Sequence, residues 1–117
     1  MSEQWENTAI GESFVVPYGK RRKAQLVRRA MQEAANSGRY FLVDLDETEP
    51  QLRVTRVPAP DMSGQPWRDL QPAEFFHIPK AEADRQLVRL MMAAQSRDGR
   101  EYYLETIGRN WRIYRLR

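Results

Sequence analysis

Residues 25–28 read Gln-Leu-Val-Arg, and the same four residues recur at 86–89. Identical residues flank the two copies in the same order. Before the tetrapeptide, Trp5, Glu12, Phe14 and Pro17 correspond to Trp67, Glu74, Phe76 and Pro79. After it, Met31, Gly38, Arg39, Arg53 and Arg56 correspond to Met92, Gly99, Arg100, Arg112 and Arg115. A shared order of landmarks with only small changes in spacing indicates an internal duplication.

Each copy predicts the same four elements, in the order β-α-β-β. It opens with a short β-type run that stops at a proline. A segment of helical periodicity follows, and a glycine, the usual C-terminal stop, comes after it. Two further β-type runs close the copy as a hairpin. The four segments are 12–17, 20–37, 39–45 and 51–57 in the first copy, and 74–79, 82–97, 100–107 and 110–117 in the second.

This organisation predicts an α+β fold made of two tandem β-α-β-β units, 5–57 and 67–117. The stretch 58–66, Pro-Ala-Pro-Asp-Met-Ser-Gly-Gln-Pro, is dense in turn-forming residues and is the expected linker. A unit of about 60 residues buries only about 60% of its chain surface, which makes it marginal alone. We therefore expect one domain with a pseudo-twofold axis, mostly antiparallel sheet, and two helices packed largely on one side.

Composition excludes several classes of function. The chain has 117 residues, no cysteine and one histidine, so disulfides, thiolate metal sites and two-histidine zinc sites are ruled out. We expect no metal and no cofactor. No apolar run approaches the roughly 18–20 residues of a membrane span, and the first ten residues lack a signal-peptide pattern. The sequence predicts a cytoplasmic protein with no membrane partner.

The first helix has a strongly basic outer face. Basic residues outnumber acidic ones by 19 to 16 in the whole chain. Between Tyr18 and Gln32 there are cations and no acid, and four of the cations lie at the start of the helix, where they oppose the helix dipole. An anionic partner would reverse that cost. The cations are Lys20, Arg21, Arg22, Lys23, Arg28 and Arg29.

The strands predict a second candidate surface. Alternation places one set of apolar side chains toward the helices and leaves an opposite face with arginines and aromatic residues. Such a face can stack unpaired bases and contact phosphates, although it can equally be covered by another sheet or a second copy of the chain. In the second copy this face carries Phe75, His77, Tyr103, Arg112 and Tyr114.

The outer face of the second helix is nearly uncharged, unlike that of the first. The positions of Arg22, Arg29 and Gln32 are taken there by Ala83, Leu90 and Ala93. An apolar outer face of this kind predicts a contact with a protein partner or a second subunit.

One acidic stretch resembles a catalytic motif. Phe41–Thr48 is similar to the first motif of the haloacid dehalogenase phosphatases, in which Asp44 would be the nucleophile and Asp46 the acid/base. The similarity covers eight residues, and the remaining chain is the second repeat rather than the rest of a phosphatase. An acidic hairpin with Asp44, Asp46, Glu47 and Glu49 is the favoured interpretation, and we expect no enzyme activity.

The sequence therefore predicts a small non-catalytic nucleic-acid-binding protein, for DNA or RNA. The basic helix holds phosphates, Arg53, Arg112 and Arg115 extend the track, and Tyr103 and Tyr114 are stacking groups. The alternative is a regulatory or inhibitory protein-binding module that acts through the outer face of the second helix or the open sheet. A homodimer is one form that this alternative can take. The style of the chain suits a phage or mobile-element accessory protein.

Overall fold

The computed structural model describes residues 3–46 and 48–117. The chain divides into two compact units, Met1–Ala59 and Pro60–Arg117. The fold is α+β, with two antiparallel three-stranded sheets, as the duplicated pattern predicts. The first unit contains α1 (Glu3–Asn7), β1 (Ser13–Pro17), α2 (Arg22–Ser37), β2 (Tyr40–Asp46) and β3 (Gln51–Val57). The second unit contains β4 (Phe75–Pro79), α3 (Arg85–Gln95), β5 (Tyr102–Ile107) and β6 (Asn110–Arg115).

Both sheets have the same topology. The strand orders are β1-β3-β2 and β4-β6-β5, so the last strand of each unit lies in the centre. Both neighbours of each central strand run antiparallel to it. A short hairpin connects β2 to β3 and another connects β5 to β6, while the helix provides the longer connection from the first strand to the second. The repeated order of elements therefore produces the same sheet twice.

A buried tryptophan organises the core of each unit. In the first unit, the ring of Trp5 makes edge-to-face contacts with Phe14 and Phe41 at centroid distances of 5.4 and 4.8 Å. In the second unit, Trp67 makes the same kind of contact with Phe76 and Tyr102 at 4.8 and 5.2 Å. These distances are typical of favourable aromatic pairs. Because the partner rings come from both outer strands, each indole joins the two edges of its sheet.

The helices cover the same sheet faces as the indoles. In the first unit α2 packs on β2, and its buried residues are Ala30 and Ala34. Alanines at this spacing let the helix backbone approach the sheet closely. In the second unit, Val88 and Met91 of α3 pack with Trp67, Ile78 and Ile113 in one buried cluster. The expected inward-facing alternation is thus confirmed in both sheets.

A short helix precedes the first sheet and a turn with one helix-type hydrogen bond precedes the second, and the sequence analysis missed both. Helix α1 carries Trp5, and its backbone continues with a hydrogen bond of 3.1 Å from Thr8 N to Gln4 O. At the equivalent place in the second unit, Leu70 N donates to Pro66 O over 3.0 Å. A single helical turn is too short to show the periodicity by which helices are recognised in a sequence.

One arginine ties this segment to the sheet in each unit. Arg56 Nη1 donates to the carbonyl of Thr8 over 3.0 Å, and Arg115 Nη1 donates to the carbonyl of Leu70 over 2.6 Å. Both arginines sit on the core-facing side of the last strand, opposite Phe41 and Tyr102 respectively. Arg56 and Arg115 therefore make the same hydrogen bond to a backbone carbonyl in the two units.

The two long helices begin differently. Asp84 caps α3, and its side chain accepts a hydrogen bond of 2.8 Å from Leu87 N. Helix α2 has Arg21 at the corresponding N-cap position, and within the described chain neither a side-chain cap bond nor an acid in the first turn is present there. The α2 N-terminus thus lacks the common stabilising features of a helix start.

Replacing Trp67 by Ala should destabilise the protein strongly, because the indole is 2% exposed and is in contact with two other rings. We expect a decrease of about 3–5 kcal/mol in the free energy of unfolding, measured by urea denaturation. Leu116→Ala is the control, since that side chain is 57% exposed and should change the value by less than about 0.5 kcal/mol. Equal stabilities of the two variants would contradict the indole-centred core.

Replacing Arg21 by Asp should stabilise the protein, since it supplies the missing N-cap and removes a cation from the helix N-terminus. We expect an increase of about 1 kcal/mol in the free energy of unfolding. The reverse change in the second unit, Asp84→Ala, should cost about 1 kcal/mol because Leu87 N loses its acceptor. A decrease in stability in Arg21→Asp would show that the basic start of α2 serves the fold itself.

Candidate nucleic-acid interface

The basic cluster at the start of α2 is open to solvent. Five of the predicted cations, Lys20, Arg21, Arg22, Lys23 and Arg28, are exposed. The first backbone N–H groups of any helix lack intrahelical acceptors, so partial positive charge adds to that of the side chains. This part of the surface is well suited to an anion.

Arg29, also a member of the predicted phosphate-binding set, differs from the other cations in being engaged inside the first unit. Its Nη2 forms an ion pair of 2.9 Å with Glu33, and its guanidinium lies 5.3 Å from the centre of the Trp5 ring. Arg39 approaches the other oxygen of Glu33 at 3.6 Å. Arg29 and Glu33 lie one helical turn apart, so the carboxylate offsets the positive charge of Arg29.

Arg115 is likewise engaged inside its own unit. It was predicted to extend the phosphate track, yet it lies on the core-facing side of β6 and its guanidinium holds the Leu70 carbonyl. Its Nε also donates to the backbone carbonyl of Arg117 over 3.1 Å. Alternation along β6 places Arg112 and Arg115 on opposite faces, a consequence of their odd spacing.

The predicted partner surface on the second helix is not exposed. Ala83 lies before α3, which begins only at Arg85, and it belongs to the buried core of the second unit at 9% exposure. Leu90 is 0% exposed and Ala93 is half-buried. The prediction of an exposed apolar face is therefore wrong for Ala83 and Leu90. It assumed that the second helix begins before Ala83 and that the helix face carrying Leu90 is exposed to solvent.

The open face of the second sheet carries a row of aromatic rings. Phe75, Tyr114 and Tyr103 are direct neighbours in register across β4, β6 and β5. Phe75 is 46% exposed and Tyr103 is 55% exposed, and the rings of Phe75 and Tyr114 lie 5.2 Å apart. We call this row, together with the next one on the same face, the aromatic face.

The second row of the aromatic face is polar. His77, Arg112 and Glu105 are neighbours in register across the same three strands. Arg112 lies over the Phe75 ring at 4.7 Å from its centre, its Nε donates to His77 Nε2 over 3.1 Å, and its Nη1 donates to the Tyr114 hydroxyl over 3.2 Å. The Phe75 ring and the two acceptors, His77 Nε2 and the Tyr114 hydroxyl, thus fix the orientation of the guanidinium.

The corresponding face of the first sheet has a different chemistry. Its first row is Ser13, Thr55 and Leu42, which occupy the same register positions as the three rings. The sheet therefore forms without aromatic residues at these places. The rings of the second unit are consequently an addition to the surface and not a requirement of the fold.

Arg53, the predicted equivalent of Arg112, is paired with an acid. Its Nη1 donates to Ser13 Oγ over 3.1 Å, and its Nη2 lies 3.4 Å from an oxygen of Asp46. Hydrogen bonds from Gln51 and Thr48, with a further one from Arg53, hold the pKa of the Asp46 carboxyl well below its usual range. The carboxylate thus stays ionised and partly neutralises Arg53.

The stretch that resembles a phosphatase motif forms the β2–β3 hairpin. Asp46 accepts hydrogen bonds from Thr48 N and Thr48 Oγ1 at 3.0 and 2.7 Å, which is a turn-forming arrangement. Asp44 lies on the outer face opposite Arg53, and Glu49 is exposed. Glu47, the remaining acid of the predicted hairpin, lies outside the described residues.

The predicted binding residues leave out three members of the aromatic face. Phe75 and His77 were placed on this face, but only Tyr103, Tyr114 and Arg112 were counted as binding residues. Glu105 was missed altogether, although its spacing of two residues from Tyr103 puts it on the same side of β5. The signal for all three was the strand alternation already used for the core.

The described residues contain no cluster of three His, Cys, Asp or Glu side chains that could hold a metal ion. None of the described helices is long and apolar enough to cross a membrane. Comparison with protein-family models, with curated proteins and with solved structures gave no match. The functional interpretation therefore depends on the chemistry of the two surfaces alone.

Proposed function

We propose that this chain is a non-catalytic protein that binds single-stranded nucleic acid. The observation that carries the proposal is the exposed row Phe75, Tyr114 and Tyr103, which is confined to the second sheet. Unpaired bases stack on exposed aromatic rings whatever their identity, and each stacked base contributes about 1–3 kcal/mol. Double-stranded nucleic acid hides the base faces, so the aromatic face favours single strands.

The guanidinium of Arg112 supports the same function. It lies between the aromatic row and the polar row, where the Phe75 ring, the His77 Nε2 atom and the Tyr114 hydroxyl hold it in place. A cation beside stacking rings can contact a phosphate or a base while the rings hold the neighbouring base. The aromatic face therefore combines the two kinds of interaction that single-strand binding needs.

The basic cluster on α2 contributes the electrostatic part of the proposal. Lys20, Arg21, Arg22, Lys23 and Arg28 are exposed, and the net charge of the chain is +3. Binding of phosphates by such side chains releases counterions and makes affinity fall as salt rises. The uncapped start of α2 is also consistent with an anionic ligand, since a phosphate there would offset a local cost to stability.

A protein partner is the alternative from another class. The second helix no longer supports it, because Leu90 and Ala83 are buried. The aromatic face could instead be covered by a second copy of the chain, an outcome that light scattering after size exclusion would report as a dimer. A dimer broken by Tyr103→Leu, with no affinity for oligonucleotides, would favour that alternative over nucleic-acid binding.

The aromatic face can be converted to the surface of the first sheet. In the variant Phe75→Ser, Tyr103→Leu, Tyr114→Thr, each ring becomes the residue that stands at the same place in the first unit. We expect binding of a labelled single-stranded oligonucleotide to weaken by about 30-fold or more, since the variant can no longer stack at least two bases. Fluorescence anisotropy measures the affinity, and circular dichroism checks that the fold is intact.

The matched control makes alanine substitutions at Ser13, Leu42 and Thr55, the equivalent row of the first sheet. Its affinity should equal that of the unmodified protein. Unchanged binding in the triple variant of the second sheet, or equally weakened binding in both variants, would contradict a role for the aromatic rings.

Charge reversal on α2 tests the electrostatic part. The variant Arg21→Glu, Arg22→Glu, Arg28→Glu should reduce the slope of log affinity against log salt, by about 0.7 for each phosphate of a single strand that the helix no longer neutralises. Affinities are compared at ~50 and ~200 mM salt, a range in which phosphate binding dominates the change. Arg29 is left in place because it pairs with Glu33.

The control carries the same charge change in the second unit, at the exposed residues Arg85 and Arg89 of α3 and Arg97 just after it. If the basic cluster on α2 binds phosphates specifically, this control keeps most of the salt slope. An equal reduction of the slope in both variants would show that only the net charge matters and that α2 holds no phosphate.

A further inference from the structure

The polar row of the aromatic face places a donor and an acceptor side by side. Arg112 and Glu105 are direct cross-strand partners on β6 and β5. Side chains at such positions have Cβ atoms about 4.5–5.5 Å apart. Arginine has only donors and an ionised glutamate has only acceptors, so a planar ligand that reaches both must offer acceptors on one side and donors on the other.

Arg112 retains donors for a ligand after its hydrogen bonds within the protein. Its guanidinium has five N–H groups, and the bonds to His77 Nε2 and the Tyr114 hydroxyl use one each. In the first sheet, the equivalent Arg53 is paired with Asp46, and the place of that acid in the second sheet is taken by Ile107. The guanidinium of Arg112 is therefore oriented by neutral groups and keeps its capacity to recognise acceptors.

Tyr103 fixes where a base would lie relative to this pair. It precedes Glu105 by two residues on β5 and stands beside Tyr114 in register, so it is adjacent to the polar row on the same face. A base stacked on its exposed ring is adjacent to Glu105 along the strand, and Arg112, the cross-strand partner of Glu105, extends over the neighbouring part of the face toward Phe75 and His77. Stacking and hydrogen bonds to the base edge can thus be made to the same nucleotide.

Guanine has the edges that this arrangement requires. Its O6 and N7 accept two hydrogen bonds from an arginine fork, and its N1–H and amino group donate two bonds to a carboxylate. Adenine and cytosine offer the carboxylate an amino group but place a ring acceptor beside it, and thymine has a single donor between two acceptors. We propose that the aromatic face selects guanine in single-stranded nucleic acid, with Tyr103 as the platform and Arg112 and Glu105 as the specificity-determining pair.

This inference rests on the proposed function and is tested within it. The probes are labelled oligothymidylates of equal length with a central pair of guanines, adenines, cytosines or hypoxanthines. We expect the guanine oligomer to bind at least about fivefold more tightly than the thymine-only oligomer, the lower limit for one good bidentate interaction. Hypoxanthine lacks the amino group, so its oligomer should be intermediate.

The variant Glu105→Gln distinguishes base selection from stacking. Glutamine cannot accept two bonds from the guanine edge as a carboxylate does, so the preference for guanine should fall to about that for hypoxanthine while affinity for oligothymidylate is retained. Asp44→Asn, the equivalent change in the first sheet, should leave the preference unchanged. Equal affinity for all the oligomers, or a guanine preference that is unchanged in Glu105→Gln, would overturn this inference and leave single-strand binding standing. Absence of binding to every oligomer would overturn the proposed function and this inference together.

Discussion

The packing of one indole against two rings from opposite edges of a sheet determines the rest of each unit. Trp67 touches Phe76 of β4 and Tyr102 of β5, and Trp5 makes the equivalent contacts in the first unit. Both strands must keep their register for the rings to meet, because a slip of one residue would turn every side chain to the other face. Packing on the inner face therefore determines which positions of each strand lie on the outer one.

Duplication has preserved the inner face and changed the outer one. The tryptophan, its ring partners and the arginine that holds a helical carbonyl occur in both units with similar geometry. The outer rows differ: hydroxyl and aliphatic side chains in the first sheet stand where the second has three rings. Residues that differ between two copies of one scaffold are those the scaffold does not need, and the three rings belong to this class, whereas Arg112 has its counterpart in Arg53.

Much of this architecture could be predicted from the sequence because it depends on local patterns. Alternation predicted all six strands and their inward-facing residues, and helical periodicity with a following glycine predicted α2 and α3. The order of repeated landmarks predicted that the two sheets would have the same form. The aromatic face was also foreseen, since strand alternation determines both faces at once.

The errors arose where the outcome depends on contacts between distant parts of the chain. The repeated Arg115 looked like a surface cation, yet a carbonyl far along the chain holds it. Leu90 is buried, but the helical periodicity of α3 alone does not predict this, because the residues around that position are partly buried and partly exposed. The ion pair between Arg29 and Glu33 could have been predicted from its i,i+4 spacing. It was missed because the sequence analysis considered only the run of cations that ends before Glu33.

The short first strands of the two sheets have a consequence for association. Strands β1 and β4 are edge strands of five residues, and each ends in a proline, Pro17 or Pro79. Proline interrupts the row of backbone donors along an exposed edge, and short edges offer little template for another chain. Strand-to-strand association along these two edges is thereby disfavoured, so any association through the exposed rings would join sheet faces and not extend a sheet.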